Sequence, residues 1–201
     1  IDISLFNKNG YYIQSNPIGK SGDFITAPEI SQLFGEIIGL YIYDIWKKKF
    51  DNQINLIEIG PGKGTLILDI LRITEKFSYF HKCINLKLIE INKQLIDLQK
   101  KNLRNSIFKN NKISWHKNFE KIDDNPSIII ANEFFDCLPI SQFVKNEKNW
   151  EEKRIGFNQE KKLFFFKNYK IDNKKLNKIL YNNNNHKILE ISKKREDYFD
   201  K

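Results

Sequence analysis

The densest chemistry in the chain lies in the ten residues Leu56-Ile57-Glu58-Ile59-Gly60-Pro61-Gly62-Lys63-Gly64-Thr65. An apolar run ends in three alternating glycines, and a carboxylate stands two residues before the first. A glycine loop between a strand and a helix lets a ligand approach the backbone closely. Two phosphate motifs can be tested against it. The dinucleotide fingerprint needs G-x-G-x-x-G and the P-loop needs G-x-x-x-x-G-K-[ST]; here the glycines alternate and Lys63 is followed by Gly64, so neither fits. Glu90 closes a second apolar run, where an acid can accept both hydroxyls of a ribose. A third polar group, Asn132, Glu133 and Asp136, follows the run Ser127–Ala131 and is set beside Phe134 and Phe135. The plainer alternatives are a tight turn at Gly60–Gly64 with Glu58 and Glu90 satisfied locally, and Asn132 or Asp136 capping the next turn. Cys137 reads as a small buried filler rather than a nucleophile.

These residues need elements to position them. Thr26-Ala27-Pro28-Glu29 has capping-box spacing, Thr26 as the cap and Glu29 three residues on. Ile30, Leu33, Phe34, Ile37, Ile38, Tyr41, Ile42 and Ile45 follow at helical spacing, and Lys47–Lys49 suit a helix C-terminus. Ile54–Ile59 reads as a strand, followed by the glycine loop and a helix to about Phe77. Leu86–Ile91 is a second strand, Asn92 a cap for a helix carrying Leu95, Ile96 and Leu103, and Ile113–Trp115 a third strand. Ser127–Ala131 is a fourth, expected to be buried on both faces. Alternating strands and helices imply a parallel sheet with crossovers. After Pro139 the pattern changes to short aromatic or β-branched runs at 141–144, 150–157 and 163–166, an antiparallel excursion. A helix at 173–181 and a strand from Lys187 follow. The expected division is 1–50 as an N-terminal cap with its amphipathic helix, 51–140 as the ligand-binding core, and 141–201 as the excursion and the start of a further part.

Composition narrows the class. The chain has 201 residues, 40% hydrophobic and 13% aromatic, which excludes a wholly disordered chain. No run of 18 apolar residues occurs, so no membrane span is expected. Two cysteines, Cys83 and Cys137, cannot frame a disulfide-rich fold, and with His81, His116 and His186 they show no zinc spacing. Net charge is +9, but only four of the 34 basic residues are Arg, while Asn numbers 24 and Ile 32. Arg makes the forked contacts to phosphates and bases; an excess of Lys, Asn and Ile together reads as compositional bias. This argues against nucleic acid as a partner.

The acidic-x-G-x-G-x-G loop resembles that of class I S-adenosyl-L-methionine-dependent methyltransferases, whose cofactor carries a sulfonium, an amino-acid moiety and a ribose, but no phosphate. On that resemblance Glu58 favours the cationic end, Gly60, Pro61, Gly62 and Gly64 leave room for the cofactor, and Glu90 takes the ribose. Together with GDFITAPEISQLFGE (22–36), LIEIN (88–92) and ANEFFDCLPISQFV (131–144), the loop EIGPGKGTL (58–66) resembles the MidA family, which includes a mitochondrial complex I assembly factor that is a protein arginine methyltransferase. The resemblance runs from Gly10-Tyr11-Tyr12 to Glu190-Ile191-Ser192. Lys63 stands where family members often have Arg, and Cys137 where they often have Ala.

The resemblance implies a Rossmann-like α/β fold, a parallel sheet with helices on both faces and an antiparallel excursion, in a chain that reads as a truncated piece of a longer protein. It implies S-adenosyl-L-methionine as cofactor and a protein arginine as acceptor, with a respiratory complex I subunit as the candidate partner. Glu133 is the first candidate to hold a guanidinium, with Asn132 and Asp136 next. Asp23, Thr26 and Glu29 are candidates to close over cofactor or substrate. No metal is implied. The alternatives are methyl transfer to RNA or a small amine, and a non-catalytic binding module with a vestigial loop. The compartment expected is a bacterial cytoplasm, with the mitochondrial matrix as the alternative.

Overall fold

The computed structural model describes residues 4–5, 7–11, 25–104, 113–147, 149–172, 174–182 and 185–193. Asp23 and Tyr12 lie outside these. The chain divides into two compact units, residues 2–137 and 138–201.

The first unit holds a four-stranded parallel sheet in the order β3-β2-β1-β4: β1 (Ile54–Ile59), β2 (Ile84–Ile89), β3 (Ile113–His116) and β4 (Ser127–Ile130). Ile54 pairs with Ile84 and Asn55 with Ser127, which makes β1 a central strand. Every residue of β1 is buried. A run of β-branched and apolar residues suits that position, since a parallel strand has both faces covered. The fourth strand departs from expectation. Ile129 is 53% exposed, because β4 is an edge of this sheet and, among the described residues, pairs only with β1.

Five helices accompany the sheet among the described residues: α1 (Ala27–Ile30), α2 (Gln32–Lys49), α3 (Thr65–Thr74), α4 (Ser78–Cys83) and α5 (Lys93–Leu103). The expected continuous first helix is broken, with Ser31 in extended conformation between α1 and α2. The expected apolar stripe is also rotated. Ile30, Leu33, Ile37 and Tyr41 are exposed, whereas Gly35, Gly39, Ile42 and Trp46 are buried. The glycines set this rotation. A Cβ on Gly35 would lie 2.5 Å from Asp69 Cβ, and one on Gly39 would lie 2.6 Å from Ile73 Cγ2. The two helices therefore meet backbone to backbone where side chains are smallest. Trp46 continues the contact into an aromatic group with Phe80, and Tyr43 stacks on Phe77 at 3.7 Å. Helix α4 was not foreseen; its predecessor α3 ends at Thr74 rather than near Phe77.

The second unit is an antiparallel sheet in the order β7-β6-β5-β8: β5 (Ser141–Lys145), β6 (Trp150–Asn158), β7 (Leu163–Lys170) and β8 (Ile188–Ile191), with α6 (Lys174–Asn182). Phe143, Trp150 and Leu180 form its core. Every residue of the outer strand β7 is exposed. Among the described residues no helix is long and apolar enough to cross a membrane.

Candidate functional site

The site lies at the carboxyl ends of β1, β2 and β4, where open α/β sheets bind their ligands. Gly60, Gly62 and Gly64 all have positive φ, at 65°, 54° and 80°, a conformation that side chains with a Cβ adopt at a cost. Gly60 is also sterically required: a Cβ there would lie 2.8 Å from Phe134 Cδ2. Phe134 therefore packs its ring on the loop from beyond β4. The Gly60 N–H donates to the Ile89 carbonyl at 3.0 Å and Gly64 N–H to the Pro61 carbonyl at 2.8 Å, and α3 begins at Thr65.

A cleft opens over this loop. It is lined by Glu58, Gly60, Pro61, Gly62 and Lys63, by Thr65 and Leu66 of α3, by Thr26, Pro28 and Glu29 around α1, and by Asn132 and Glu133 beyond β4. Glu58 is 3% exposed, and its Oε2 has no hydrogen-bond partner. Burial, and then the nearby charge of Glu90, raise its carboxyl to about 8. A buried carboxylate without a donor is costly, and a cationic ligand group in the cleft is the partner that would make it favourable. Glu90 is held differently. Its Oε1 accepts the N–H groups of Ile91 and Asn92, both at 2.9 Å. Its own burial raises it, opposed by those two bonds and by Gln99. Oε1 is fixed by the backbone, and Oε2 has Gln99 Nε2 at 3.5 Å as its side-chain donor. A cationic, ribose-bearing cofactor without phosphate fits this donor and acceptor set.

The candidates separate clearly. Glu58, Gly60, Pro61, Gly62, Thr26, Glu29, Asn132 and Glu133 share the cleft. Gly64 and Glu90 support it without lining it, and Asp136 is exposed and outside it. Glu133 is exposed at the rim with φ +49°, a strained conformation of the kind that clusters at functional sites. Glu29 does not form the expected capping box. Thr26 makes no side-chain cap bond; instead Glu29 accepts from the Thr65 hydroxyl and from Lys63 Nζ at 3.4 Å, tying α1 to the glycine loop. Asn92 does cap α5, accepting from Gln94 N–H at 2.9 Å and Leu95 N–H at 3.3 Å. Cys137 donates to the Phe134 carbonyl at 2.8 Å, and burial, then the charge of Asp136, push its thiol up to about 11. Its half-buried thiol is held in the un-ionised form at neutral pH, which disfavours a role as nucleophile.

Two residues that reach the loop were not foreseen. Asn102 donates to the Lys63 carbonyl at 3.1 Å. Gln99, fully buried, donates to the Gly62 carbonyl at 2.7 Å and accepts from the Trp115 indole at 2.9 Å. A sequence signal existed: Gln99 occupies the middle of the Leu95, Gln99, Leu103 stripe, where an apolar residue is expected.

Fold and site together define the class I S-adenosyl-L-methionine-dependent methyltransferases. A family model described as "Putative S-adenosyl-L-methionine-dependent methyltransferase" matches residues 37–201, and the chain belongs to that family, the MidA-like group. S-adenosyl-L-methionine is the family's cofactor. Among curated relatives, the bovine and human proteins named protein arginine methyltransferase NDUFAF7, mitochondrial, are each 34% identical, with 71% of this chain and 37% of the relative covered. The Caenorhabditis elegans homologue is 36% identical over 79% of this chain and 41% of its own length. A Burkholderia thailandensis crystal structure bound to S-adenosyl-homocysteine superposes with a TM-score of 0.74 at 18% identity, covering 90% of this chain and 46% of that one. The likeness to it is one of fold. The chain spans about two fifths of the length of the curated relatives it matches.

Proposed function

We propose that this chain carries the cofactor-binding part of a protein arginine N-methyltransferase. The observation that supports this most is the pairing of two carboxylates at one cleft: Glu58 buried beneath the glycine loop, and Glu133 at the open rim. The bound cofactor supplies an electrophilic methyl group. Glu58 holds the cationic end of the ligand, the glycines admit it against the backbone, and Glu90 takes the ribose. Methyl transfer is an in-line displacement, so the protein contributes approach and electrostatics. Glu133 holds the acceptor guanidinium in a forked pair and orients one nitrogen. Asn132 is its neighbour in the cleft; Asp136, exposed and outside the cleft, is the weaker candidate.

The names of the curated relatives support arginine as acceptor. A respiratory complex I subunit is the partner we propose, and the mitochondrial names of those relatives favour a mitochondrial matrix setting over the bacterial cytoplasm. The test is Glu133→Gln in the full-length protein, which removes charge and keeps shape. Once a substrate covers the rim and desolvates the pair, losing the charge costs on the order of 2–5 kcal/mol, so turnover on an arginine-containing substrate falls at least ~20-fold. Cofactor affinity by calorimetry stays within about threefold, because Glu58 and Glu90 carry that recognition. Loss of cofactor binding would move Glu133 into the cofactor shell; loss of neither would make it structural.

A further inference from the structure

Gln99 is a buried polar residue whose amide nitrogen is directed at the site. It is 0% exposed and sits between Leu95 and Leu103 on the buried face of α5. Its Nε2 donates to the Gly62 carbonyl at 2.7 Å and lies 3.5 Å from Glu90 Oε2, while its Oε1 accepts from Trp115 Nε1 at 2.9 Å. The indole nitrogen can only donate. Trp115 therefore fixes which end of the amide is oxygen, and so turns both N–H groups toward the loop and the carboxylate. The stem is used too: Gln99 Cγ lies 3.5 Å from where a Cβ on Gly64 would be. One side chain thus bonds the Gly62 carbonyl, fills the space beside Gly64, and reaches Glu90 and the third strand.

We propose that Gln99 is a positioning residue of the cofactor site, an amide set in orientation by Trp115 that holds the glycine loop and Glu90 in register with each other. The inference rests on the cofactor reading given above. The loop has three glycines at positive φ, and its peptide planes are free to turn unless something holds a carbonyl. In a trans peptide the C=O and N–H point in opposite directions. Fixing the Gly62 carbonyl on Gln99 therefore aims the Lys63 N–H to the other side of the loop. The same amide stabilises the ionised form of Glu90, as a donor to a carboxylate does.

The experiment measures S-adenosyl-homocysteine binding to the full-length protein by calorimetry from pH 5.5 to 8.5, with thermal unfolding of the ligand-free protein alongside. Gln99→Met keeps the length and removes the amide. Trp115→Phe keeps the ring and removes the indole N–H. Gln99→Met is expected to weaken binding at least ~10-fold, as loss of a bond to a charged group does. Measured in a Glu58→Gln background, where residue 58 cannot titrate, the acid limb of the affinity profile also moves to higher pH, since Glu90 loses one of the donors that favour its ionised form. Glu58 on β1 and Cys137 beyond β4 are the titrating groups beside Glu90; the background removes the first, and the second is unchanged in both variants. Trp115→Phe shifts the profile in the same direction, and the double variant is no weaker than Gln99→Met alone. A merely structural role would lower the unfolding temperature and leave the pH midpoint where it was; that result overturns the proposal. If Gln99→Met does not fold, Trp115→Phe alone decides, and an unmoved midpoint overturns it. A parent protein that binds no S-adenosyl-homocysteine overturns both this inference and the cofactor reading, whereas a parent that binds and variants that match it overturn this inference only.

Discussion

Replacing Glu58 with Gln is expected to move fold stability and cofactor affinity in opposite directions. The carboxyl is 3% exposed, its Oε2 has no donor, and burial with the charge of Glu90 raises it from 4.5 to about 8. In the unfolded chain it ionises near 4.5. Between those values the folded protein holds the extra proton, so stability falls as pH rises through this window. At ~1.4 kcal/mol per pH unit the loss is on the order of 3 kcal/mol by pH 7 and approaches ~5 kcal/mol by pH 8. Gln cannot ionise, so Glu58→Gln removes this slope. Urea unfolding of ligand-free protein at pH 5, 7 and 8 reads it directly: the variant gains on its parent at each step. Cofactor binding behaves the other way. If the ionised form is the one that binds the cation, affinity of the parent rises ~25-fold between pH 6.5 and 8.5 and then levels off. The variant binds at least ~10-fold more weakly at pH 8.5 and lacks that rise. Because the ligand's own titration is common to both proteins, the difference between them isolates Glu58. A variant that keeps the parent's pH slope in binding, or that loses stability relative to its parent as pH rises from 5 to 8, would refute the reasoning.

Gly39→Val drives a branched side chain into the α2–α3 contact, where a Cβ already meets Ile73 Cγ2 at 2.6 Å and Ile70 Cα at 3.0 Å. The expected cost is ~1–3 kcal/mol in denaturant unfolding, and an unchanged midpoint would mean the helices can separate freely. Cys137, with its thiol pushed up to about 11, is expected to resist iodoacetamide in native protein at pH 8 and to react once unfolded. Rapid native alkylation, read by mass spectrometry, would show that its environment is wrong.

The parts of this molecule legible in sequence are those fixed by local pattern. Ile54–Ile59 announces a buried strand because four of its six residues are isoleucine or leucine, and Asn92 announces a cap because its short side chain reaches N–H groups two and three residues on. The glycine spacing separated this loop from phosphate-binding loops, and Glu90 fell where a strand ends. Four of the misreadings share a cause: a partner distant in sequence. Glu29 stands at capping-box spacing, yet its carboxylate finds Lys63 and Thr65 across more than thirty residues. The α2 stripe was read from its large apolar residues, whereas the buried face is chosen by Gly35 and Gly39, which carry no hydrophobic signal. Ile128-Ile129-Ile130 looks doubly buried, but strand order places it at an edge. Gln99 breaks an apolar stripe, and only the fold shows that Gly62, Glu90 and Trp115 lie around it.

Strand order also sets an order of assembly. Pairing β1 with β2 joins residues 30 apart, Ile54 to Ile84, whereas pairing β1 with β4 joins Asn55 to Ser127, 72 apart. The longer closure costs roughly 0.8 kcal/mol more in chain entropy, and β4 brings fewer apolar side chains into the interior to offset it. Folding therefore closes Glu58, the glycine loop and Glu90 around their short crossover first, and Asn132 and Glu133 are delivered when the distant strand docks. In a nascent chain the glycine loop and its two buried carboxylates therefore come together first, and the other wall of the cleft is added to a part already formed.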